Sequence, residues 1–267
     1  MLVESTPSAT PTPSPSATAT PTRSLPPTPI PWWTPPPVDM SVLPVTDPWA
    51  ILPQAPADPD ISTMPSGTLV APINSAGAVL WDAPEGKPFA ILPVESYIGV
   101  SQYPVITETR QFYQVLIGAR RGLPSKVGRE NVNGATGWVL KTDVTTSSTD
   151  YSITVNLGKE TVTLAKAGEP VFSTPAAVGK PQSPTPVTRT YIMSIYSDPT
   201  VRYTPFFVAL ATHSDTFDVF RGGPAPTAIH TDPSTAGPIS NGCVRVPRDA
   251  LNRFRDLPLG TPVLIQP

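Results

Sequence analysis

Thirty-nine prolines lie in a chain of 267 residues, 18 of them within the first 65, and this asymmetry limits what the N-terminal quarter can fold into. Each proline fixes φ and removes a backbone donor, so a tract of them supports neither helix interior nor central strand. In TPSATPTPSPSATATPTRSLPPTPIP the prolines alternate with Thr, Ser and Ala, which bury too little to offset the entropy of ordering. Residues 1–65 are therefore expected to be a disordered, semi-rigid tether with polyproline character. Trp32, Trp33 and Trp49 are its odd members, expected to be isolated exposed aromatics.

The formal net charge is −2 and no basic patch or stripe is present, so nothing points to nucleic acid. No apolar run approaches ~18 residues, and no transmembrane segment is expected. The opening residues, MLVESTPS, carry no apolar signal-peptide core. A Ser/Thr/Pro-rich tether is nevertheless common between an anchor and an extracellular catalytic domain, so export to the cell envelope is expected on composition. A single cysteine, Cys243, excludes an intrachain disulfide. In an exported protein such a thiol is either buried and inert or kept for chemistry.

Residues 66–146 read as short strands: GTLVAPI, AVLWDAP, FAILPV, YIGVSQY, FYQVLIG and TGWVLK. They are rich in Val, Ile, Leu and aromatics and separated by Gly, Pro, Asn and Asp, the pattern of a small all-β domain. The strand ending near Trp81 with the turn DAPEG, the run Phe112–Val115 and the closing Gly137-Trp138-Val139 together resemble a bacterial SH3-like domain. Such domains bind cell-wall peptide or act as spacers.

Residues 150–267 form a second unit. Ile153, Val155 and Leu157 alternate onto one face, and Gly158-Lys159-Glu160 turns the chain into Thr161–Leu164. Further strands are expected at 190–196, 205–212, 228–230, 243–246 and 262–265. One helix is expected over 247–257, where Ala250, Leu251, Phe254 and Leu257 share a face, with Pro247 in its first turn. The fold class is mainly β, ending in a β-sandwich-like domain with one packed helix.

His230 lies at a strand end, and Cys243 follows thirteen residues later beyond the Pro/Gly-rich DPSTAGP, which can fold back and bring the two together. A thiolate is the nucleophile, and a neighbouring imidazole takes its proton and later returns it to a leaving amine. A working site of this kind is expected to hold a low-pKa thiol. Gly242 allows close backbone approach, and the amides of Gly242 and Cys243 are candidate donors to an oxyanion. His213 reads as a strand-edge or surface residue, and the charges of 248–256 as the wet face of the helix.

The run IHTDPSTAGPISNGCVR resembles the L,D-transpeptidase (YkuD-type) signature, in which a histidine is followed by a short loop, Ser-His-Gly-Cys, an apolar residue and Arg or Asn. The opening hairpin from Ser152, Thr185–Tyr191, Asp249-Ala250-Leu251 and Gly260–Ile265 fit the family's flanks, so the resemblance spans nearly all of 150–267. It implies that Cys243 attacks the third residue of a peptidoglycan tetrapeptide stem, expels D-Ala, and passes the acyl group to another stem's amine in a 3→3 cross-link. It also implies His230 as base, oriented by the Thr231 carbonyl, and Arg245 as a carboxylate holder beside the loop residues Ser240, Asn241 and Gly242. No metal or organic cofactor is implied, and carbapenems are expected to acylate the thiol. Water as acceptor would make the enzyme an L,D-carboxypeptidase. An inactive wall-binding module is the third reading, with Asn241 in place of the motif's histidine as its mark. Thr188 stands where the family has Gly, so the turn there is expected to differ if φ must be positive.

Overall fold

The computed structural model describes residues 32–96, 99–100 and 102–267. The Pro-rich run up to residue 31 lies outside the described residues, as do Tyr97, Ile98 and Ser101 of the YIGVSQY strand candidate. Residues 34–267 form one compact unit, which is mainly β.

Strands β1 (Thr68–Pro72), β2 (Ala78–Trp81), β3 (Pro88–Leu92), β6 (Tyr103–Glu108), β7 (Phe112–Leu116), β8 (Thr136–Leu140) and β9 (Val144–Ser148) form a seven-stranded sheet in the order β3-β2-β8-β7-β6-β1-β9. The short pair β4 (Glu95–Ser96) and β5 (Gly99–Val100) stands apart, and the helix α1 (Pro124–Val127) follows β7. A ten-stranded sheet contains β10 (Tyr151–Asn156), β11 (Thr161–Lys166), β12 (Glu169–Pro175), β13 (Ala177–Gly179), β14 (Thr188–Tyr196), β15 (Phe207–His213), β16 (Pro226–His230), β17 (Gly237–Ser240), β18 (Val244–Arg245) and β19 (Pro262–Gln266). Its order is β12-β11-β10-β19-β14-β15-β16-β18-β13-β17.

Strand alternation divides two cores between the sheets. On β14 and β15, Ile192, Val208 and Leu210 point into a core closed by Leu251 and Phe254. Tyr191, Met193 and Ala209 point the other way, into the core of the seven-stranded sheet. Successive side chains of a strand face opposite sides, so a central strand packed on both faces reads as a continuous apolar run rather than an alternation. Thr188 to Ser194 are accordingly all buried. Thr188 pairs with Ile265 in extended conformation and has no positive φ, so no glycine is required there.

The helix is shorter than its apolar spacing predicts. α2 covers Arg248–Leu251 with Pro247 as its N-cap, and Asn252–Phe254 continues as a 3-10 turn. The expected face is nonetheless the buried one, since Ala250, Leu251, Phe254 and Leu257 all lie in the core.

The tether reading is corrected from Thr34 onward. Residues 34–65 are a strap on the folded unit, joined to the seven-stranded sheet region by six backbone hydrogen bonds. Thr46 N–H donates to Ile91 O and Ile91 N–H to Pro44 O; Leu52 N–H donates to Arg120 O and Arg120 N–H to Ala50 O; Asp58 N–H donates to Gly134 O and Thr136 N–H to Pro56 O. The prolines serve here as acceptors, for which no N–H is needed. Leu52 and Ala55 of the strap are buried in the core of the seven-stranded sheet, and Asp58 forms a buried ion pair with Arg189 of β14.

His213 is a peg for this strap rather than a surface residue. It is fully buried, and its Nε2 lies 3.0 Å from the carbonyl of Pro48, so that nitrogen carries the proton. Burial, followed by the Arg120 charge, pushes its pKa down to about 3 against an ordinary 6.5, with the Pro48 bond acting in the opposite direction. The folded state thus resists a proton that the unfolded chain accepts. The associated stability is complete above pH 6.5 and is lost as pH falls from 6.5 toward 3, by an amount on the order of a few kcal/mol. Denaturant midpoints are expected to fall over this window, and to fall less in His213→Gln, whose amide keeps a donor for Pro48. Equal pH slopes in the two proteins would contradict this account.

Candidate active site

β16 and β18 run parallel, pairing Ile229 with Val244 and His230 with Arg245. This register carries Cys243, immediately before β18, alongside Ala228 of β16, whose backbone amide acts to lower the thiol's pKa. The bend at Asn241 and Gly242 joins β17 to Cys243, and Gly242 has φ +115, a conformation that L side chains rarely adopt. Ser240 is buried and braces the bend: its hydroxyl donates to Cys243 O at 2.5 Å and accepts from Gly242 N–H at 3.1 Å. The Gly242 amide is therefore engaged within the bend. It is not available as an oxyanion donor, and that expectation is corrected.

His230 Nδ1 lies 2.8 Å from the Thr231 carbonyl. A carbonyl only accepts, so Nδ1 carries the proton and Nε2 presents a lone pair. Thr231 is itself held, its N–H donating to Thr204 Oγ1 at 3.3 Å. The rings of Phe207 and Tyr203 pack on the imidazole with centroids 5.3 and 5.6 Å away. Burial is the main influence lowering the His230 pKa, helped by Arg245 and opposed by the Thr231 bond and by Asp232.

Cys243 is half-buried, and burial pushes its thiol above the usual value, against the Ala228 bond and the Arg245 charge. Burial thus disfavours the charged form of both the thiol and the imidazole. Desolvation acts against the low-pKa thiol that was expected and outweighs the nearby cation.

Both residues line one cavity of about 690 Å3, a size suited to a small ligand rather than a single reacting bond. Ser240, Asn241, Gly242, Arg245 and Asp232 line it too. Arg245 Nη1 donates to Asp232 Oδ1 at 3.1 Å, each side chain about one-fifth exposed, and its Nε is buried without a hydrogen-bond partner. Asn241 Oδ1 accepts a long hydrogen bond of 3.4 Å from Ser183, and its side chain is otherwise exposed. Among the described residues no group of three or more His, Cys, Asp or Glu is placed to hold a metal ion. Tyr203, Phe207 and Trp49 also line the cavity, and sequence reasoning assigned none of them to the site. Phe207 lies in the stretch 205–212, read only for strand propensity, Tyr203 lies just before it, and no local motif marks either.

No curated protein matches the chain in a sequence search. Among solved structures, an L,D-transpeptidase from Mycobacterium smegmatis overlaps 58% of this chain and 91% of its own, at 16% identity and a TM-score of 0.37. L,D-transpeptidase 3 from Mycobacterium tuberculosis overlaps 59% and 92%, at 15% identity and a TM-score of 0.37. The catalytic domain of the E. faecium L,D-transpeptidase overlaps 43% and 96%, at 23% identity and a TM-score of 0.31. At the level of sequence families, residues 150–265 match the model of the YkuD L,D-transpeptidase catalytic domain.

Proposed function

We propose that residues 150–267 are an exported peptidoglycan L,D-transpeptidase domain that uses Cys243 as nucleophile and His230 as base. The observation that carries this reading is the bond from His230 Nδ1–H to the Thr231 carbonyl, which leaves Nε2 as a proton acceptor in the cavity that holds Cys243. His230 Nε2 takes the thiol proton as sulfur attacks the carbonyl of the third stem residue. The Cys243 amide is the donor assigned to the oxyanion, since the Gly242 amide is held by Ser240. The bond to D-Ala breaks, and His230 returns its proton to the leaving amine. A second stem's side-chain amine then attacks the thioester, giving a 3→3 cross-link and restoring the thiol. Arg245, with only one donor engaged by Asp232, is assigned the substrate carboxylate, and Asn241 is assigned a loop-shaping role. Residues 66–146 are read as an SH3-like domain beside it, and carbapenems as expected acylating inhibitors of Cys243.

The test is incubation with disaccharide-tetrapeptide and mass analysis of products and intact protein. A dimer lacking one D-Ala supports transpeptidation. Tripeptide alone would mean that water is the acceptor and the enzyme an L,D-carboxypeptidase, and neither product nor acyl-protein would leave a wall-binding module.

Burial of the Cys243 thiol has a measurable consequence. Iodoacetamide alkylation of Cys243 is expected to rise about tenfold per pH unit from pH 7 to 8.5, following the small thiolate fraction. A rate already level at neutral pH would reveal a preformed thiolate–imidazolium pair and contradict the burial argument.

A further inference from the structure

The cavity that holds Cys243 and His230 has a wall from outside the segment carrying them. Pro48 and Trp49 of the strap line it, together with Phe217, Phe220 and Arg221 from the loop after β15. Trp49 is 47% exposed, an unusual investment of apolar surface for a side chain whose backbone is held on both sides. Asp47 Oδ1 accepts from the N–H groups of Trp49 and Ala50, each at 2.8 Å. The Pro48 carbonyl accepts from His213, and the Ala50 carbonyl accepts from Arg120 N–H.

Arg120 ties this strap to the neighbouring loop. It is 2% exposed, its backbone bonds the strap at Ala50 and Leu52, and its Nη1 donates to Asp218 O at 2.7 Å. Asp218 also accepts from Ser125 N–H at 3.0 Å and from the Ser125 hydroxyl at 2.5 Å. The loop therefore presents Phe217 and Phe220, with centroids 5.6 Å apart, from a braced backbone. Arg221 lies over the Phe220 ring at 5.7 Å and supplies a cation at the same wall. Rigid aromatics on a fixed backbone hold a ligand at little entropic cost.

We infer that Trp49 is a substrate-binding residue, delivered by the strap, that holds the peptide stem in the cavity containing Cys243. This rests on the transpeptidase reading for the identity of the ligand. The wall's chemistry fits a stem peptide: the indole and Phe217 contact aliphatic side-chain carbons, while Arg221 meets a carboxylate. Continuity of the cavity from Trp49 to Cys243 and His230 makes the occupant the reacting peptide rather than a separate ligand.

The experiment compares Trp49→Ala and Trp49→Phe in the full chain, with disaccharide-tetrapeptide as probe. KM is measured in the active protein, and Kd by calorimetric titration in the Cys243→Ala background. Both are expected to rise about tenfold in Trp49→Ala and to recover at least partly in Trp49→Phe. The denaturant midpoint serves as the check on folding, since a half-exposed indole contributes little to the core. Wild-type KM and Kd in a folded Trp49→Ala protein would overturn the inference and leave the transpeptidase reading standing. Trp49-dependent binding without turnover by the parent protein would do the reverse. If tetrapeptide binds none of the proteins, both fall.

Discussion

Cys243→Ala is expected to abolish acyl-protein formation and to lower tetrapeptide turnover by about 10⁴-fold or more, the scale of removing a covalent nucleophile. Folding is expected to survive, because Cys243 is half-buried. The bend keeps its shape through Ser240, which binds the backbone of Gly242 and Cys243 and not the sulfur. Binding of the tetrapeptide is thus expected to persist while chemistry is lost. Intact-mass spectra and product analysis of both proteins check this. Turnover retained in the alanine variant would assign the reaction to another group and remove Cys243 from its role. The proposed role of His230 as base would then fall with it.

Asp58→Ala is expected to cost about 3–5 kcal/mol of stability, the range for breaking a buried ion pair from one side. The Asp58 side chain is 0% exposed and that of Arg189 is 6% exposed. Arg189 Nε and Nη2 meet the two carboxylate oxygens at 2.6 and 2.5 Å, a bidentate geometry that binds the strap to β14. Deleting the carboxylate strands the guanidinium with one remaining bond, from Nη1 to Thr63 O at 3.3 Å. Asp58→Leu combined with Arg189→Met is expected to cost clearly less than the sum of the single changes, because no buried charge is left behind. Chemical denaturation of the four proteins measures this directly. An Asp58→Ala midpoint equal to wild type would mean that water replaces the carboxylate and that the strap is held by its backbone bonds alone.

The residues best read from sequence were those whose chemistry depends on near neighbours. Cys243, Gly242, Ser240 and His230 fall within a short run, and the structure brings them to one cavity, although Gly242 uses its amide for the bend rather than for a substrate. Strand positions in the second sheet were legible from period-two alternation, as at Ile153 and Val155, both fully buried. The helix was overextended because Ala250, Leu251, Phe254 and Leu257 keep one face through a 3-10 turn as readily as through an α-helix. The strap was missed for a different reason. Proline content weighs donors, whereas Pro44, Pro56 and Pro48 act through carbonyls, and their partners Ile91, Thr136 and His213 lie 47, 80 and 165 residues away. The thiol's protonation was also beyond local reading, since burial is set by the whole fold around it.

The two-sided burial of β14 also limits how this chain can be taken apart. Tyr191 and Met193 belong to the core of the seven-stranded sheet although they lie within the segment from 150 onward, and a Cβ at Gly118 would sit 3.1 Å from the Met193 sulfur, a tight contact. A cut in the short stretch between β9 and β10 severs the polypeptide where sequence marks a seam, yet the seam does not continue through the interior. The catalytic part is consequently not an exchangeable cassette. Its back wall is furnished by residues of the seven-stranded sheet, so a change on either side of that wall is felt by both sheets.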